Sequence, residues 1–161
     1  MAANEDCPPT AFGEQVVGDH FLNRRKDNFV LGLEDEDSIY PGAKTAVVFY
    51  DRGTGAKGCY PKATKSKEHT IEACSEFAGT QSVKSFRSDC AQELRAAARE
   101  KGWVHPTGTP GEPQTNALAE NMVRQVKQGG KKFMSQMGGS KAWWKFPTPA
   151  WCFSDLTAEP D

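Results

Sequence analysis

The chain has 161 residues and 17.6 kDa, 37% hydrophobic and 25% charged, which suits one globular domain with a modest core and excludes a second full one. Twenty Lys and Arg stand against 21 Asp and Glu, so the net charge of -1 excludes a polybasic histone-like protein and confines any nucleic-acid face to a local patch. No run nears the roughly 18 to 20 apolar residues of a membrane span, and the polar start MAANEDCPPT has no signal-peptide core, so the expectation is an intracellular protein, nuclear or cytoplasmic, without membrane contact. Five widely spaced cysteines without C-x-x-C, and three histidines outside any zinc-ligand spacing, point to reduced thiols and away from zinc.

Residues 1–13, with paired prolines and few apolar side chains, read as a flexible leader. Residues 14–156 read as the folded domain and residues 157–161 as a tail. The apolar-rich stretch 15–22 predicts a strand, and the polar stretch 23–42, with its run Glu34-Asp35-Glu36-Asp37, a solvated insertion. Residues 45–50 are β-branched and aromatic, Asp51-Arg52-Gly53-Thr54-Gly55 is turn chemistry, and residues 58–60 complete a hairpin. Ser66 precedes Ile71, Cys74, Phe77 and Ala78 at helical spacing, and Gly79 closes that helix. A strand over 82–88, a helix over 92–101 ended by Gly102, and a brief strand over 103–105 follow. Residues 115–137 predict a long helix weakened at Gly129-Gly130, and the aromatic stretch 140–156 a terminal one.

This order predicts an α/β domain with a mixed five-stranded sheet, three antiparallel strands plus parallel additions, flanked by helices. It resembles the RNase H-like topology. Three carboxylates fall at element positions in that scheme: Asp19 in the first strand, Asp89 at the end of the fourth and Glu120 early in the long helix. Hard divalent cations take oxygen ligands, so two or three carboxylates together with substrate phosphates suffice for a site, and a pair of ions clamps attacking and leaving oxygens. With 21 acidic residues many triples exist, and an Asp at a strand end is ordinarily a cap or turn former.

The residues around these acids narrow the choice. Arg87-Ser88-Asp89-Cys90-Ala91-Gln92-Glu93-Leu94 and Pro113-Gln114-Thr115-Asn116-Ala117-Leu118-Ala119-Glu120 resemble the two motifs of the DDE catalytic core of retroviral and copia-type retrotransposon integrases. The likeness runs from about Gln15 to Leu156. It implies that Asp19, Asp89 and Glu120 are catalytic and hold Mg²⁺ or Mn²⁺, two ions in all. Asp51 competes for the first role and is read as structural, at the hairpin position where copia-type sequences carry an Asp before the turn. The resemblance further implies DNA partners, both element ends and target, and a homodimer through the core. Departures are Cys90-Ala91 in place of Asn-Gly, Val123 in place of an Asn, and a short spacing of 30 residues between Asp89 and Glu120.

On the long helix Glu120, Arg124, Lys127 and Lys131 share one stripe, opposite Leu118, Ala119, Met122, Val123, Val126 and Phe133. The functional reading is that Arg124, Lys127 and Lys131 bind DNA phosphates, helped by Lys132, Lys141 and Lys145 in a stretch without acids; the bland one is a solvated helix face. Trp143, Trp144 and Trp151 are assigned to packing rather than base stacking. His20 and His105 are left out of the site.

Three functions compete. The first is a metal-dependent polynucleotidyl transferase, an integrase-type nuclease and transferase that cleaves and joins DNA phosphodiesters. The second is a decayed element module that binds DNA or assembles without turnover. The third is a cellular RNase H-like nuclease, which rests on fold analogy.

Overall fold

The computed structural model describes residues 8–22, 40, 42–89, 91–106, 113–138 and 144–158, without the side chains of 113–116. Most of the acidic insertion and the loop 107–112 thus lie outside the described residues. Strands β1 (Val16–Leu22), β2 (Thr45–Asp51) and β3 (Lys57–Lys62) are followed by helix α1 (Lys67–Ala78), strand β4 (Phe86–Ser88) and helices α2 (Gln92–Glu100), α3 (Pro113–Gln136) and α4 (Pro147–Thr157).

The sheet order is β3-β2-β1-β4. The first three strands pair antiparallel, with Asp19 opposite Val48 and Val16 opposite Asp51. β4 runs parallel to β1, from Val16–Phe86 to Gly18–Ser88. Among the described residues four strands stand where five were expected, because residues 103–105 contribute only an isolated bridge between Ser85 and Val104. Trp103 is drawn into the core, Val104 is largely exposed, and Pro106, with no N–H to donate, halts further pairing. The expected strand 82–88 shortens to Phe86–Ser88. Ahead of it, Ser85 O accepts from Val16 N of β1 at 2.9 Å, and Lys84 N donates to Gly13 O at 2.7 Å in the segment that precedes β1. Packed structure therefore begins ahead of Glu14: Gly13 is buried, and the Glu14 carboxylate accepts from Thr10 N at 2.7 Å.

Strand alternation sends successive side chains to opposite faces of the sheet. Val16, Val47, Phe49 and Phe86 pack against α1 and α2, together with Cys74, Leu94, Ala97 and Trp103. Phe21, Ala46, Val48 and Cys59 pack against α3 and α4, together with Met122, Val126, Trp144 and Cys152. Gly18 lets β1 approach Phe86, since a Cβ there would lie 2.6 Å from the ring. Ser66 caps α1 through its hydroxyl, which accepts from His69 N at 3.2 Å, and Gly79 at φ 55° ends it. α3 runs unbroken through Gly129-Gly130, where the expected weakness is replaced by close packing on α4. Among the described residues no helix is long and apolar enough to cross a membrane.

Candidate active site

Asp19 sits in β1 two residues before Phe21, so it faces the α3 side of the sheet. Asp89 follows β4, the parallel neighbour of β1, and is exposed. Glu120 lies on the exposed side of α3, one residue from buried Ala119. Asp89 and Glu120 are both in electrostatic range of Asp19. Burial foremost, then the charge of Asp89 and, more weakly, that of Glu120 push the Asp19 carboxyl above the usual carboxylate range. The His20 N–H at 2.7 Å from Asp19 Oδ1 and the Lys65 ammonium pull the other way.

Asp51 differs in every respect. It shares the α1 face with Val47 and Phe49, is fully buried, and accepts from Gly13 N (3.0 Å), Thr54 N (2.9 Å) and Thr54 Oγ1 (2.6 Å). Its oxygens are committed to the turn.

His20 points to the opposite face from Asp19, its Nε2 3.3 Å from Thr70 Oγ1, and is pushed down to about 4 by burial and by Lys65. It is neutral at physiological pH. Lys65 and Glu93 are both felt by His20, and Glu93 falls within the first of the two motifs. The signal in the sequence is Lys65 immediately ahead of the Ser66 cap, which ties it to the start of α1 beside β1.

An oxygen-only donor set suits a hard divalent cation, and the repulsion gathered on Asp19 is what such a cation relieves. Among the described residues, however, no three His, Cys, Asp or Glu side chains are drawn together into a metal-holding group. The carboxylates are neighbours in the field without being gathered ligands.

On α3, Arg124 is exposed and donates from Nη2 to Asn121 Oδ1 at 2.6 Å. Lys127 Nζ lies 4.8 Å from the centre of the Phe21 ring, next to the strand that carries Asp19, and Lys131 is exposed. Lys145 does not extend this stripe: it is buried and donates to Tyr40 O at 3.2 Å. Lys141 and Trp143 lie outside the described residues. Trp144 packs edge-on to Phe21 at 5.6 Å, and Trp151 against Gly129.

No protein-family model matches the sequence, and no curated protein does. Solved structures do. The chain is similar to the catalytic core domain of BIV integrase, with TM-score 0.60 and 12% identity over 92% of this chain and 87% of that one. It is also similar to the HTLV-2 integrase catalytic core domain in complex with magnesium, in a trimeric form, with TM-score 0.59 and 13% identity over 91% and 86%. The mixed sheet and its flanking helices are therefore the RNase H-like fold of retroviral integrase catalytic cores.

Proposed function

We propose that the chain is a metal-dependent polynucleotidyl transferase of the integrase type, cleaving and joining DNA phosphodiesters during retrotransposon DNA integration. The observation that carries this is the field at Asp19, where a half-buried strand carboxylate meets the charges of Asp89 and Glu120 inside an integrase-core fold. Asp19, Asp89 and Glu120 are the residues that hold Mg²⁺ or Mn²⁺, as two ions. Bound there, the cations supply Lewis acidity and neutralise phosphate charge. Arg124, Lys127 and Lys131 grip neighbouring phosphates, independent of sequence. His20, neutral and bonded to Thr70 on the far face, takes no part.

The test is nicking of a supercoiled plasmid and joining of a labelled duplex end in Mg²⁺ or Mn²⁺. Asp89→Asn removes a ligand charge that the amide does not replace, so both activities should fall at least about 100-fold with circular dichroism unchanged. A second reading, a DNA-binding or assembly module without turnover, is favoured by the absence of a gathered three-ligand group among the described residues. Salt-dependent DNA binding by a parent chain inert in both metals would select it.

A further inference from the structure

Two cations of the α3 stripe are tethered in different ways. Arg124 is tied to its own helix through Asn121 Oδ1, 2.6 Å away, whereas Lys127 crosses to the sheet and sets its ammonium over the Phe21 ring, 4.8 Å from the centre. The platform under that ammonium is fixed from several sides. Phe21 pairs with Ala46 in the β1–β2 ladder, its carbonyl accepts from the buried Thr45 hydroxyl at 2.8 Å, and Trp144 stands edge-on to its ring, 5.6 Å between centres. Phe21 is 7% exposed while Lys127 is exposed, so the ring belongs to the core and the cation above it to the surface. Alternation puts Phe21 on the same face of β1 as Asp19, two residues and roughly 7 Å further along the strand.

A lysine side chain loose in water samples many rotamers, and a phosphate that captures it bears the cost of ordering it. A ring face draws the ammonium through its quadrupole and leaves N–H donors for an oxygen on the other side. We propose that Phe21 is a positioning residue of the nucleic-acid face: its ring holds the Lys127 ammonium at a fixed place beside the strand of Asp19, ready for a DNA backbone phosphate. This deepens the reading of Lys127 as a phosphate contact and rests on it. The ring brings no charge of its own, so it acts on affinity and not on the number of phosphates neutralised.

The experiment is a fluorescence-anisotropy titration of the full chain on a labelled duplex, without added divalent cation, across a salt series. Phe21→Leu keeps an apolar side chain on the core and removes the ring face. Affinity should fall about 2- to 5-fold at every salt concentration, as a line parallel to that of the parent. Lys127→Ala should instead flatten the slope of log affinity against log salt by about 0.9. Phe21→Leu added to Lys127→Ala should cost nothing further, since the contact it removes is already gone. A Phe21→Leu line that coincides with the parent's, or an equal loss when Lys127 is already Ala, overturns the positioning role and leaves Phe21 a packing residue. Should Phe21→Leu not fold by circular dichroism, Phe21→Met carries the same cycle. A Lys127→Ala variant with the parent's affinity and slope overturns the phosphate contact and this role with it.

Discussion

Asp19 and Asp51 stand on adjacent strands of one hairpin-extended sheet, and opposite faces separate their roles. The Asp51 carboxylate engages two backbone N–H groups and one hydroxyl. Charge-assisted bonds of this kind contribute about 1.5–3 kcal/mol each, and the turn is built on them. Asp51→Asn keeps one acceptor oxygen and presents an NH₂ to donors on the other. Urea denaturation should therefore show a loss of about 2 kcal/mol, while plasmid nicking per folded molecule stays at the parent level. Loss of nicking at full stability would move the first ligand from Asp19 to Asp51.

At the scale of elements, α3 carries both the site and the seam with α4. A Cβ on Gly129 would meet the Trp151 ring at 2.0 Å, and one on Gly130 would meet Thr148 Oγ1 at 2.3 Å. Trp151 has little room to retreat, since Lys57 lies over its ring at 5.9 Å and is itself tied to Asp155 of α4 at 2.7 Å. Ala in place of Gly favours a helix by about 1 kcal/mol, whereas overpacking costs about 1–3 kcal/mol. Overpacking wins here, so Gly129→Ala should lower stability in urea by about 1 kcal/mol; a gain would show that α4 repacks freely. The opposite face of α3 is read by salt. Replacing Arg124, Lys127 and Lys131 together by Ala should flatten the slope of log affinity against log salt on duplex DNA by about 0.9 for each phosphate they neutralise. An unchanged slope in fluorescence anisotropy returns the stripe to plain solvation.

Across the whole molecule, two cores share one sheet and unfold as a unit if the sheet couples them. Their thiols report this. Cys74 belongs to the α1–α2 side, and Cys59 and Cys152 to the α3–α4 side. Burial pushes Cys74 and Cys152 up to about 12 and Cys59 well above its ordinary range, so all three stay protonated and unreactive at neutral pH. Iodoacetamide at pH 8 should modify them only in urea, with one midpoint that matches circular dichroism. Separate midpoints for Cys74 and the other pair would show that the two faces open independently.

The hairpin, α1 and α2 were legible in the sequence because their signals are local: alternation through residues 45–50, turn chemistry at Asp51 to Gly55, the Ser66 cap and the Gly79 stop all act within a few residues. Alternation also separates the faces of His20 and Asp19 without any tertiary information. What sequence spacing does not encode is a partner far along the chain. The lost fifth strand follows from Trp103 entering the core, which leaves Val104 only an isolated bridge to Ser85. The Gly129-Gly130 pair reads as a weak point by propensity, yet it is a site of close approach to α4, and Lys145 reads as surface charge yet is buried against Tyr40 O. Asp19 and Asp89 are 70 positions apart, and only the parallel pairing of β1 with β4 brings their charges within range of each other. Element identity is settled by neighbours along the chain, whereas which elements touch, and so which carboxylates meet, is settled by burial of two apolar faces on a common sheet.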